Sequence, residues 1–153
     1  MKSISAIWFE CKVRYEKTQE DGSMKKVTDQ YTVEALSFSE AERRIIEEIS
    51  PYTSGECEIT DVRKAAYKEI FFSDSSLDDR WYKAKLQFIT IDEKTEKEKR
   101  TKATFLVQAG TLDRAVTNIN EVMGATMIDY EKSNIAETRI LDVFQYQEKK
   151  QES

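Results

Sequence analysis

Histidine is absent from the 153 residues of this chain. That removes the commonest general base and the commonest transition-metal ligand together. Serine and cysteine nucleophiles therefore have no imidazole to activate them, and no G-x-S-x-G turn is present. Cys11 and Cys57 are far apart and match no metal-ligand spacing, so both are expected to be reduced core thiols. The four glycines are not clustered, which leaves no phosphate-cradling loop. Carboxylates are plentiful. Asp74, Asp78 and Asp79 lack calcium-loop spacing and read as an ordinary polar connector. Asp61 and Asp142 stand in similar local sequences, Ile59-Thr-Asp-Val62 and Ile140-Leu-Asp-Val143, and read as a shared strand-end or turn hydrogen bond. An enzyme built on carboxylates, with or without a metal, would need them to converge in one cleft. The expectation is a non-enzymatic chain with no catalytic residues, no metal and no cofactor.

Aromatic and cationic side chains give a stronger pattern. If Phe9, Cys11, Val13 and Tyr15 face a core, the period-2 alternation of a strand puts Trp8, Lys12 and Arg14 on the opposite face. The same reasoning sets Trp81 beside Lys83 and Lys85. Two exposed tryptophans beside cations would suit single-stranded nucleic acid, with bases stacked on the rings and phosphates on the lysines. They would equally suit a protein interface, where Trp and Arg are enriched. Against both stands the tendency of tryptophan to be largely buried. Trp8, Lys12, Arg14, Trp81, Lys83 and Lys85 form the candidate binding face, with a protein partner or homo-oligomer favoured over single-stranded nucleic acid. The clustered cations Lys25 and Lys26, and Lys94, Lys97, Lys99, Arg100 and Lys102, read as solvated hairpin tips.

The elements that must position these residues occur twice. Trp8 to Tyr15 matches Trp81 to Phe88, and Tyr31 to Ala41 matches Phe105 to Ala115, with Ile59 to Val62 and Ile140 to Val143 as a third match in the same order. Each copy reads as strand, hairpin, strand, helix, strand. In the first, Gly22 marks the hairpin, and Ser37 with Glu40 forms a capping box for a helix whose apolar stripe is Phe38, Ala41, Ile45, Ile46 and Ile49. Ser50-Pro51 ends it, because proline disfavours helix in the residue before it. A third strand starts near Glu56. In the second, strands over 81–91 and 101–109 precede a helix after Thr111 that stops at Gly124, and a last strand covers 137–147. The expected class is α+β: an internal duplication of two ββαβ units, 1–72 and 80–147, with antiparallel sheet and both helices on apolar faces. Residues 73–79 connect the units and 148–153 form a charged tail.

Trp8-Phe9, the run Tyr31-Thr-Val-Glu-Ala-Leu-Ser-Phe-Ser-Glu-Ala-Glu42 and Arg80-Trp-Tyr-Lys-Ala-Lys85 resemble a domain family of unknown function found in gut anaerobic bacteria and the phages that infect them. The resemblance covers nearly the whole chain and brings no activity or catalytic residue with it. It implies a phage or prophage setting, where small accessory binding proteins are common. Composition agrees with a folded module: 39% hydrophobic residues supply a core, and 35% charged residues a wet surface. The net charge of -5 gives no global pull toward phosphate backbones. No stretch approaches the roughly 20 apolar residues of a membrane span, and Met1 to Ile7 lacks a signal-peptide core, so a cytoplasmic protein without membrane contact is expected.

Overall fold

The structure is a computed structural model that describes residues 1–53 and 55–146. Gln147 and the tail expected at 148–153 lie outside the described residues. In chain order the elements are β1 (Lys2–Ile4), β2 (Trp8–Thr18), β3 (Met24–Glu34), α1 (Phe38–Ile49), a 3-10 turn (Ser50–Tyr52), β4 (Glu58–Lys64), β5 (Glu69–Phe72), β6 (Arg80–Ile91), β7 (Glu98–Ala109), α2 (Leu112–Gly124), β8 (Tyr130–Glu137) and β9 (Ile140–Phe144). The fold is α+β, with two helices and two sheets among the described residues.

The chain forms two compact units, each assembled from two segments. The α1 unit comprises Ile7–Ala65 and the segment from Ile140, and its sheet has the order β4-β2-β3-β9. The α2 unit comprises Met1–Ala6 with Ala66–Arg139, and its sheet has the order β1-β5-β7-β6-β8. These segments differ from the 1–72 and 80–147 division read from the sequence, because β5 and β9 each join the sheet of the other half of the chain. Both sheets are also mixed rather than antiparallel throughout. β9 runs parallel to β3, and β5 parallel to β7.

Within the units the same construction recurs. Phe9, Cys11 and Val13 of β2, Val33 of β3 and Ala35 just beyond it pack with Ala41, Ile45 and Ile49 of α1. Ala84, Leu86, Phe105 and Val107 of β6 and β7 gather with Ile119 and Met123 of α2. Each helix is capped by a hydroxyl accepting an amide three residues on, Ser37 from Glu40 and Thr111 from Arg114, both at 3.1 Å. The return half of the capping box differs, since the Glu40 carboxylate accepts the Tyr146 hydroxyl instead. Arg44 and Asn118 occupy matching helix positions, and each donates to the carbonyl near the end of the preceding strand, Glu34 and Gln108. Trp8 and Trp81 each accept a backbone bond of 2.8 Å at the end of the strand alongside, from Ala65 and Thr138.

α2 ends at Gly124, as read from the sequence, and the left-handed residue beyond it is Met127 at φ 59. Two other readings differ. The counterpart of β4 is β8, a strand the sequence reading missed because only Tyr130 and Ile135 are even partly shielded along it. Consequently Ile59–Val62 and Ile140–Val143 are not equivalent. The first lies in β4, antiparallel to β2, and the second in β9, parallel to β3.

Candidate functional site

The tryptophans expected on an open outer face are buried, with Trp8 1% and Trp81 3% exposed. Alternation assigned the faces correctly, since Phe9, Cys11 and Val13 enter the core under α1. What alternation cannot reveal is whether the opposite face is wet. On that face Thr32, opposite Glu10 in the ladder, is also fully buried, as are Leu106 and Ile70 beside Lys83. Trp81 packs edge-on to Phe72, with ring centroids 5.4 Å apart. Neither tryptophan ring is open to a base. The cations fare differently: Lys12, Arg14 and Lys85 are exposed, while Lys83 is half-buried with its ammonium 5.5 Å from the Tyr67 ring.

Asp61 and Asp142 do not converge. Asp61 on β4 and Asp142 on β9 lie at opposite edges of one sheet, separated by β2 and β3. Asp61 pairs with Arg63 at 2.8 Å. Among the described residues no three His, Cys, Asp or Glu side chains gather as a metal site.

Two features went unread in the sequence. The first is the connector 73–79, which is not inert. Asp78 is 3% exposed and accepts from the Gly110 amide at 2.9 Å, the Ser73 hydroxyl and the Arg114 guanidinium at 3.1 Å. Burial alone would raise its pKa, but those hydrogen bonds and the Arg114 charge outweigh it and pull the carboxyl down to about 2. The clasp lays the Leu77 carbonyl against Gly110 so closely that a Cβ there would sit 2.3 Å from the oxygen. Leu77 is left 82% exposed at the start of α2, where Leu112 is 50% exposed. The start of α1 likewise carries exposed apolar side chains. Leu36 is 72% and Phe38 54% exposed at the start of α1, the Phe38 ring lying T-shaped to that of Phe9 with centroids 5.0 Å apart. Tyr146 closes that corner, its hydroxyl on Glu40 and its ring 4.5 Å from the Arg44 guanidinium.

The second is a polar end to the core of the α1 unit. The Tyr15 hydroxyl donates to Asp29, Tyr31 stacks on Phe144 at 5.6 Å, and the Cys57 thiol donates to Thr53 at 3.2 Å. The hydrogen bond to Asp29 holds the Tyr15 phenol above its usual range, and burial pushes Tyr31 up to about 12. In the α2 unit the ladder positions corresponding to Tyr15, Asp29 and Tyr31 hold Phe88, Ala103 and Phe105. The architecture therefore accepts an apolar filling here. Beside Tyr15 open two clefts. One of about 330 Å³ is lined by residues including Arg14, Met24, Lys26, Glu56 and Glu58. The other, of about 340 Å³, runs past Lys17, Thr18, Pro51 and Tyr52.

No helix among the described residues is long and apolar enough to cross a membrane. No curated protein and no solved structure matches the chain. A family model described as a domain of unknown function, DUF4494, matches residues 7–146, spanning both units and the connector between β5 and β6. The chain belongs to the DUF4494 family.

Proposed function

We propose that this protein is a non-enzymatic binding module that acts through protein–protein contacts. The observation that carries the reading is the pair of large apolar side chains left exposed at the start of each helix, Leu36 with Phe38 and Leu77 with Leu112. Burying one such side chain on a partner contributes roughly 1.5–3 kcal/mol. Exposed apolar groups gathered at one place mark contact sites far more often than singly scattered ones. Phe38 and Leu112 hold matching places at the two helix starts, which also supports internal duplication as the origin of the two units. A phage or prophage setting and a cytoplasmic location belong to the same proposal.

Photo-crosslinking tests it. A benzophenone amino acid at 36 or 77 is compared with one at 28 or 85, using the purified chain at rising concentration and then extract of its host. Adducts at 36 or 77 that exceed those at the control positions and vanish with Phe38→Glu or Leu112→Glu support the reading. Equal labelling at all four positions overturns it.

Binding of single-stranded nucleic acid is the second reading. It now rests on the side chains of Lys83, Lys85, Lys102 and Arg100, which the ladder places on one face of the β6–β7 hairpin. Glu131 ties up Arg100 at 2.6 Å, which weakens that face. Titration of labelled single-stranded DNA and RNA at two salt concentrations decides it, because phosphate contacts make affinity fall steeply with salt.

A further inference from the structure

The hairpin β2–β3 is longer than the strand that flanks it. β2 pairs with β3 without interruption from Trp8 to Thr18, but its pairing with β4 stops at Arg14 opposite Glu58. The direction of the free backbone groups follows from the ladder. Trp8 accepts from Ala65 on the β4 side, and Gln19 donates to Ser23 on the β3 side. Even-numbered residues of β2 therefore present N–H and C=O toward β4. Glu16 and Thr18 hold theirs along an edge that has no strand beside it among the described residues. The α2 unit covers the corresponding stretch further: Phe88 pairs with Tyr130, and the Ile89 amide donates to the Asp129 carbonyl at 2.9 Å.

We propose that the free edge of β2 at Glu16–Thr18 is a docking site for an extended peptide segment of a protein partner, added as a strand antiparallel to β2 in the line of β4. Main-chain hydrogen bonds to the edge supply affinity, and pockets for alternate side chains supply selectivity. Both clefts flank this edge. The one past Pro51 and Tyr52 presents an aromatic surface, Tyr52 being 85% exposed, and suits an apolar or aromatic side chain. The other sets Glu16, Glu56 and Glu58 against Arg14 and Lys26, with Met24 beside them, and suits a lysine or arginine laid along the thioether. The wider field has the same sign. The segments of the α1 unit carry 11 basic and 16 acidic side chains, and those of the α2 unit 13 of each. The ligand class is thus an extended peptide that alternates basic with apolar residues. The exposed Lys17 on this edge disfavours indiscriminate pairing with any other strand.

The site is separate from the helix-start corners and shares with them only the premise of a protein ligand. Its test is selection of a displayed random peptide library on the full chain, followed by titration of the enriched peptides as labelled synthetic probes. Enrichment of basic–apolar alternation is expected. Glu16→Pro, which removes the edge amide while sparing the bonds to β3, should weaken binding at least tenfold. Tyr52→Ala and Glu56→Lys, at surface positions where folding is not at stake, should each weaken it severalfold, and Phe38→Glu should leave it unchanged. Failure to enrich any peptide overturns the proposal. So do enriched peptides that keep their affinity within twofold in Glu16→Pro, Tyr52→Ala and Glu56→Lys alike, or a second copy of the chain occupying the edge instead.

Discussion

Asp78→Asn is the sharpest test of how the connector is held. At neutral pH the wild-type carboxylate is ionised and nearly inaccessible, with its two oxygens shared among Gly110, Ser73 and Arg114. Its pKa stands at about 2, against an ordinary value of 3.8. At about 1.4 kcal/mol per unit, that difference corresponds to roughly 2.5 kcal/mol of stability. The sign follows from the depression. The contribution is complete above the unfolded value, near pH 4 and higher, and is lost as pH falls through the folded value near 2. An amide keeps the shape but forfeits the charge. The variant should therefore lose about 2 kcal/mol near pH 7, and the gap to wild type should shrink below about 1 kcal/mol by pH 2.5. Urea unfolding in a Trp8→Phe background reads the α2 unit through Trp81 alone. With a slope of roughly 1–3 kcal/mol per molar urea, the midpoint should drop by about 1 M at pH 7. A gap of the same size at both pH values would refute the reasoning, because it would trace the loss to packing rather than to charge.

Gly110→Ala should cost about 1–3 kcal/mol, read as a lowered melting temperature, since the new methyl group meets the Leu77 backbone. Leu36 fills the matching position of the α1 unit, so Leu36→Ala should move the melt by less than about 0.5 kcal/mol. Alkaline stability should fall between about pH 9 and 12. Cys11 and Tyr31 are each raised to about 12, chiefly by burial, and Tyr15 is raised as well, chiefly by its hydrogen bond to Asp29, so their stabilising effect is whole below the unfolded values and lost on rising through the folded ones. Tyr15→Phe with Tyr31→Phe should flatten that fall above pH 10, as followed by circular dichroism. Both tryptophans should emit at short wavelength and resist iodide quenching until the protein unfolds; ready quenching of either would contradict their burial. Replacing Tyr15, Asp29 and Tyr31 together by Phe, Ala and Phe should leave the urea midpoint of the α1 unit unchanged or higher; a loss above about 1 kcal/mol would show the polar end to be structural.

What the sequence disclosed and what it hid have distinct physical origins. Strands β2, β3, β6 and β7 were legible because one face of each is core and alternation records that. The helix starts were legible because Ser37 and Thr111 must satisfy free amides at those points. β8 was hidden because an edge strand with mostly exposed side chains carries no period. β1 was hidden because three residues are too few to show one. The parallel placements of β5 and β9 were hidden because a short apolar run does not specify its partner. The third repeat match misled for the same reason: Ile-x-Asp-Val suits any edge strand. Trp8 and Trp81 were placed on the correct face and given the wrong environment, since a period of two distinguishes faces but not solvent from protein. Asp78 was invisible because its partners are 30 or more residues away, apart from Ser73.

The polar end of the α1 unit is where local rules and architecture disagree. Phe88, Ala103 and Phe105 show that the same ladder positions can be filled with apolar side chains, giving the stacked Phe71–Phe105 pair at 5.1 Å. Putting a carboxylate and two phenols there instead forgoes apolar burial and requires that each polar group find a partner, which Asp29 does through Tyr15. Folding alone gives no reason for that choice, and departures from local consistency concentrate where a protein does something other than fold. The location agrees with this. The polar residues lie against the two clefts and next to the stretch of β2 that β4 leaves uncovered, so two departures from the α2 unit, the polar filling and the uncovered edge, coincide at one end of one sheet. A site built for an extended ligand needs those three things together: free main-chain groups, flanking pockets, and polar side chains fixed in advance by the core beneath them.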